Sequence, residues 1–400
     1  MIVLVINNGS TSCRFSVINT KTKLVLAQGG SENIGTSTSY FKYENYKGQK
    51  DQINIDICNC SDSLKIMNSY IFSDRFGIFS SYKDIDVIGH RVVHGGMKYT
   101  SSTVIDEAVL ADILLLSNIA PLHNSKAIEA ITKCKEMFKN IYNVGVFDTA
   151  FHSTIPPENY LYAIPKEFYE KYGIRRYGFH GISYSYVLNR YSEMIDKDIN
   201  FINTVMCHLG GGSSICAIKN GKSFDTTMGY TPLSGLIMAS RSGNVDPAVI
   251  PAIMKNCNIS ADEVLKILNS LSGYFAICGE KNVKSIVERS ESGEFDAILL
   301  RKMINTDFKR NLLSMMANLD RVDSIILTGG ISAKNKEQRE MLMSGLEQFG
   351  LILDREKNNN LFDTEAVIST KESRIPIYLI PTNEELEIAN ECEKVMIKRL

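Results

Sequence analysis

No run of apolar residues in this chain approaches the ~18 that a membrane span needs. The apolar stretch at the amino terminus, Met1 to Ile6, is too short for a signal peptide and has no basic flank. An excess of one charge is missing too. Lys and Arg total 44 against 45 Asp and Glu, for a net charge of -1 and a pI near 6.6. That excludes the strong basic footprint of a nucleic-acid binder. It does not exclude a small anionic substrate, because local basic groups vanish in a net charge. Cysteine is sparse: nine residues, an odd number, scattered along the chain. A secreted disulfide framework is denser and usually even. Cys58 and Cys60 have no second Cys/His pair nearby to complete a zinc site. The expectation is nine reduced thiols in a cytosolic protein. Gly221-Lys222-Ser223 resembles the end of a P-loop, but Cys216 stands where its first glycine belongs, and neither a dinucleotide fingerprint nor a His-Glu-x-x-His motif is found.

What remains is an ordinary globular composition, 44% hydrophobic and 22% charged. At 400 residues the chain is too long for one core, so two domains are expected. Ile2 to Ile6 reads as a buried strand, followed by the turn Asn7-Asn8-Gly9-Ser10-Thr11-Ser12 and a strand through Phe15 and Val17. The same unit recurs as Ile202 to Met206, then Gly210-Gly211-Gly212-Ser213-Ser214, then Ile215 to Ile218. Asn220-Gly221 next signals a type I′ hairpin. A third apolar strand, Ser324 to Leu327, ends at Thr328-Gly329-Gly330. Repetition of a whole supersecondary unit points to a duplicated domain.

Helices fill the intervals. Ser260 to Glu263 is a capping box, Asp246-Pro247 reads as an N-cap with proline at the first helical position, Asn124 as a cap, and Ile298 to Leu319 as a helix. Asn45 to Asp51 and Arg355 to Asn360 read as surface loops. The pattern predicts two α/β domains facing across a cleft, with two Gly/Ser turns able to grip a polyphosphate through backbone N–H groups. Each turn has a plainer account, a simple hairpin turn for the first and a mobile loop for the second.

All six histidines fall in one middle stretch. His180 and His208 are the candidates for function, whereas His90, His94, His123 and His152 are expected to be structural. Moving a phosphoryl group to a carboxylate brings two anions together, so positive groups must neutralise the equatorial oxygens. Arg91 and Arg241 lie among small residues that leave room for a ligand, and guanidinium suits the task. For either alone, a surface salt bridge is the competing account.

Together, Gly89 to Gly96, Asp148 to Ile155, Tyr177 to Tyr184, Asn220 to Pro232 and Pro381 to Ala389 resemble the acetate kinase family along nearly the whole chain. The resemblance implies two ribonuclease-H-like, actin-like α/β domains, each a mixed five-stranded sheet flanked by helices, with the active site in the interdomain cleft. The expected division is 1–148 plus 383–400, and 149–382. It implies a homodimer, Mg²⁺ with Mn²⁺ as its substitute, and reversible transfer between ATP and acetate to give acetyl phosphate and ADP. It implies catalytic roles for Asp148, Arg91, Arg241 and His180, and an acetate pocket of Arg91, Val93, Leu122, Phe179 and Pro232. Phosphate and nucleotide contacts fall to Ser10, Ser12, Arg14, His208, Gly210, Gly211, Gly212, Gly330 and Ile331, and metal contacts to Asn7 and Glu384 through water. Neither nucleic acid nor membrane is expected as a partner.

Departures from the family pattern cluster on the donor side. Arg14 replaces lysine and Gly211 replaces asparagine. Val283 and Ser285 stand where an acid and an arginine are usual, Ser332-Ala333-Lys334 replaces Gly-Glu-Asn, and Asn244 replaces aspartate. Three accounts stay open: Lys281, Lys284 or Lys334 holds phosphates instead, the donor is another nucleotide or pyrophosphate, or the chain is a weakly active paralogue. A propionate or butyrate kinase is the neighbouring enzyme reading, and a noncatalytic nucleotide-switched binding protein is the reading from another class.

Overall fold

A computed structural model of the chain describes all residues other than Ser10, Asn118, Ala120 and Leu400, and all side chains of the rest other than those of residues 121–123. It divides into two compact units, Met1–Phe151 with Asn383–Leu400, and His152–Thr382. Among the described residues, no helix is long and apolar enough to cross a membrane.

The first unit holds β1 (Ile2–Asn8), β2 (Ser12–Asn19), β3 (Leu24–Glu32), β4 (Tyr40–Asn45), β5 (Lys50–Asn54), β6 (Val87–Val92), β7 (Thr103–Val104) and β8 (Tyr142–Phe147). They form one sheet in the order β5-β4-β3-β2-β1-β6-β8-β7. The second unit holds β9 (Thr204–Leu209), β10 (Ser213–Lys219), β11 (Lys222–Thr226), β12 (Ser324–Thr328), β13 (Ala366–Val367) and β14 (Ile377–Leu379). Their order is β11-β10-β9-β12-β14-β13. Among the described residues the sheets have eight and six strands, not five each. The two-residue edge strands β7 and β13 add one to each sheet, and in the first unit β4 and β5 extend the other side, β4 adding Phe41 and Tyr43 to the core beside Phe15.

The repeated unit is visible in the pairing. β1 is antiparallel to β2 and parallel to β6; β9 is antiparallel to β10 and parallel to β12. Each glycine-containing turn therefore leaves the end of a central, fully flanked strand. Asn220 and Gly221 both take positive φ, 51° and 70°, as the expected hairpin turn requires.

Several local expectations need correction. The helix after Asp246-Pro247 begins at Val249; Asp246 instead accepts from Ala248 N at 2.8 Å and caps the turn before it. Asn124 is not a cap. It lies inside the helix Pro121–Met137, buried, with its amide bonded to both N and O of His94. The loop at Asn45–Asp51 is shorter than expected, because Lys50 and Asp51 pair in β5. Arg355–Asn359 is a short helix, capped by Asp354 accepting from Lys357 N. The capping box at Ser260 and Glu263 forms, and the long helix spans Phe295–Ala317.

The last helix, Glu384–Ile397, packs on β1, β6 and β8 of the first unit. Gly89 in β6 permits this approach: a Cβ there would lie 2.6 Å from Cys392 Sγ and 2.7 Å from Ile388 Cγ2. The helix start is thereby brought into the electrostatic range of Arg91.

Candidate active site

In the first unit the parallel strands β6 and β8 carry two expected site residues to the same end of the sheet. Arg91 pairs in register with Val146, and Asp148 N donates to Val92 O at 3.0 Å. Arg91 donates through Nε at 3.1 Å and Nη2 at 2.7 Å to Asp148 Oδ2. The Asp148 carboxylate is 1% exposed and the Arg91 side chain 24%. Burial works against the arginine's charge, but Asp148, Glu384 and Glu385 outweigh it and raise its pKa above the ordinary value. The guanidinium is thus a fixed cation in a poorly solvated place, the condition under which it acts most strongly on an anion.

Asn7 lies near the end of β1 and Glu384 opens the last helix. Gly9 N donates to Ser12 O at 2.8 Å, closing the first turn, while Ser10 lies outside the described residues. Arg14 is drawn elsewhere: its Nε donates to Glu32 at 2.8 Å and its side chain is 60% exposed. Val93 follows β6, half-buried. Leu122 belongs to the helix Pro121–Met137, but its side chain lies outside the described part. Asn7, Asp148 and Glu384 offer oxygen donors only. Among the described residues, no group of three His, Cys, Asp or Glu could cage a metal. Such a sparse oxygen set fits a hard cation that keeps several waters, as Mg²⁺ does, rather than zinc.

In the second unit the structure brings His180, His208, Gly212, Arg241 and Pro232 together. His180 adopts the left-handed region, φ 61°, immediately before the helix Gly181–Met194. A non-glycine residue rarely does so, and such strain gathers at functional sites. Its Nδ1 is bonded to Ser214 Oγ at 2.8 Å, and that hydroxyl to Tyr184 Oη at 2.6 Å. His208 Nδ1 is bonded to Ser183 Oγ at 2.7 Å. Gly210 N donates to Gly212 O at 3.0 Å, which tightens the second turn. A Cβ on Gly212 would lie 3.2 Å from His180 Nε2 and 3.3 Å from Arg241 Nη1, so glycine lets both groups approach the backbone more closely than a side chain would. Arg241 Nη1 donates to Pro232 O at 3.1 Å. Phe179 is 1% exposed, and its carbonyl bonds His152 Nε2 at 2.9 Å.

Gly211, Gly330 and Ile331 line a separate cavity of about 730 Å³ in this unit. Lys281, Lys284 and Lys334 reach it too, but so do Glu288, Glu291 and Glu337. Lys334 lies 3.5 Å from Asp363, and Lys281 sits over the Phe275 ring at 4.9 Å. Sequence reasoning missed two residues here. Phe362, on the cavity wall, was a single aromatic in a polar stretch, and the wholly buried Arg339 looked like one charge among many on a helix surface.

His90 and His152 are buried and hydrogen-bonded: His90 Nε2 bonds Asn143 Oδ1 at 2.7 Å, and His152 Nδ1 bonds Ser223 Oγ at 2.7 Å. Burial pushes the pKa of each down to about 4. His94 Nδ1 accepts from Gly96 N, while the side chain of His123 lies outside the described part.

The profile of the Acetokinase family matches residues 2–390. The chain is 42% identical to an acetate kinase of Thermoanaerobacterium thermosaccharolyticum, over 99% of each protein. It superposes on the crystal structure of Porphyromonas gingivalis acetate kinase with a TM-score of 0.91 at 34% identity, covering 99% of both chains. It matches a propionate kinase from Francisella tularensis subsp. tularensis equally well, with a TM-score of 0.91 at 35% identity and 98% of both chains covered.

Proposed function

This chain belongs to the acetokinase family, and from that premise we propose that it transfers a phosphoryl group reversibly between a nucleoside triphosphate and acetate, giving acetyl phosphate and the diphosphate. The observation that carries the reading is the Arg91 guanidinium, held through Nε and Nη2 on the buried Asp148 carboxylate at the end of β6 and β8. A carboxylate oxygen attacks the terminal phosphorus in line as the bond to the diphosphate breaks. Arg91 binds the acceptor carboxylate and the incoming phosphoryl oxygens, and Arg241 and His180 neutralise the charge spread over the planar phosphoryl group. Asp148 holds Arg91 in orientation. Val93, Leu122, Phe179 and Pro232 exclude water from the methyl end. Asn7, Asp148 and Glu384 would hold Mg²⁺ through water, and the ion, when bound, offsets negative charge on the donor phosphates. A cytosolic homodimer is part of the same reading.

An acyl-hydroxamate assay with acetate and Mg²⁺ tests it directly. Hydroxamate formation dependent on donor and acetate is the expected result, and none with any donor defeats the proposal. The similarity to a propionate kinase supports a second acceptor. One methylene is worth only ~1–3 kcal/mol of discrimination, so propionate should react more slowly than acetate but measurably. Comparing kcat/KM across formate, acetate, propionate and butyrate decides which acid is preferred.

A further inference from the structure

We infer that Phe362 determines donor specificity by stacking on a purine ring, so that this chain accepts adenine and guanine nucleotides alike and uses pyrophosphate poorly. The inference rests on the carboxylate kinase reading. Phe362 is 66% exposed, yet it lines the cavity of about 730 Å³ that also takes in Gly211 and Gly330. That volume suits a nucleoside. A Cβ built on either glycine meets nothing within 4 Å, and neither has a positive φ. Packing and backbone conformation therefore do not explain these glycines, whereas close approach of a ligand does.

The charge of the cavity argues against a polyphosphate occupant. Lys281, Lys284 and Lys334 are balanced by Glu288, Glu291 and Glu337. A neutral cavity with an aromatic wall fits an uncharged nucleoside, leaving the phosphates to the glycine turn. A stack tolerates either purine, because every base has a π-face. Asn282 and Asn335 spend their side-chain carbonyls capping helices, accepting from Lys284 N and Gln338 N.

The aromatic wall is anchored rather than loose. Buried Arg339 donates to Ser332 O at 2.6 Å, Asn358 O at 2.9 Å and Leu361 O at 3.0 Å. It therefore ties the residue before Phe362 to the helix Gly329–Lys334, which supplies Gly330 and Ile331. Arg339 is a positioning residue for both sides of the cavity.

The test is calorimetric titration of ADP and GDP onto the whole protein, with acetyl phosphate formation from ATP, GTP and pyrophosphate measured alongside. The wild type should bind the two diphosphates within about fivefold of each other. Phe362→Ala should weaken both by about tenfold or more, the usual worth of a base–aromatic stack, and Phe362→Tyr should restore them. KM for acetate should not move. Phe362 is exposed, so its replacement should leave the melting temperature in place. Unchanged nucleotide affinity in Phe362→Ala, a wild type that rejects GDP, or pyrophosphate as the better donor overturns the inference. Tight purine binding without acetyl phosphate from any donor would instead overturn the carboxylate kinase reading and leave the stacking role standing.

Discussion

His180 and His208 lie face to face, with ring centroids 4.2 Å apart and planes 20° from parallel. Each ring is also tied through Nδ1 to a serine, Ser214 for His180 and Ser183 for His208. Both rings of the stack are thus held, and the Nε2 edge of His180 meets Gly212. His180 is the member assigned to the phosphoryl group, and His208 supports it. His180→Ala should lower kcat by about 10²–10³, with KM for acetate little changed. His208→Phe, which keeps a stacked ring, should retain far more activity. Equal losses in steady-state kinetics would remove the distinction.

Arg91 and Arg241 should be equally necessary for turnover but unequal for stability. Arg91→Ala strands the Asp148 carboxylate, 1% exposed, without its cation. That should cost about 3 kcal/mol of stability as well as at least about 10² in kcat. Arg241 rests on a backbone carbonyl, so Arg241→Ala should match the kinetic loss with a smaller fall in denaturation midpoint. Urea unfolding beside kinetics separates the two. Near-normal turnover in both variants would defeat their assignment.

Adjacent glycines offer an internal control. Gly212→Ala pushes a methyl toward His180 Nε2 and Arg241 Nη1, whereas Gly211→Ala meets nothing within 4 Å. The first should lower kcat, since His180 and Arg241 must each give way by a few tenths of an ångström in a preorganised site. The second should leave kcat intact and raise the donor KM. Loss of kcat in Gly211→Ala alone would contradict this geometry.

The buried imidazoles predict the acid limb of stability. His90 and His152 are held at pKa values of about 4 by burial, against about 6.5 when unfolded. Between those values the unfolded chain binds more protons. Their neutral forms are therefore fully compatible with folding above pH 6.5, and stability is lost as pH falls toward 4. The slope is at most about 1.4 kcal/mol per pH unit for each ring. Melting temperatures should be level from pH 8 to 7 on this account and decline below 6.5. His90→Gln should make the decline shallower; an identical decline would show that His90 takes no part.

Local rules made some features legible. Asn220-Gly221 and the Ser260–Glu263 box carry their geometry in adjacent residues, and both form as expected. Arg91 and Arg241 stood out because small residues around a cation leave space. Features set at a distance were hidden. Asn124 has the chemistry of a cap, but His94, thirty residues away, claims its amide. Arg339 sits in a run of charged and polar residues that reads as a solvated surface, and its burial depends on the return of residues 358–361. Strands β3 to β5, on the outer side of the first sheet, were missed because their pattern is diluted by polar residues on the open face.

The last helix, which packs on β1, β6 and β8, gives the protein an order of birth. At synthesis rates of about 5–20 residues per second, the strands of the first unit leave the ribosome tens of seconds before the helix that covers Gly89 and brings up Glu384. The second unit, His152–Thr382, is contiguous and can finish first. The part of the chain made earliest is thus completed last, and a nascent chain arrested before residue 383 would expose the Gly89 face of its oldest sheet rather than a defect at its newest end.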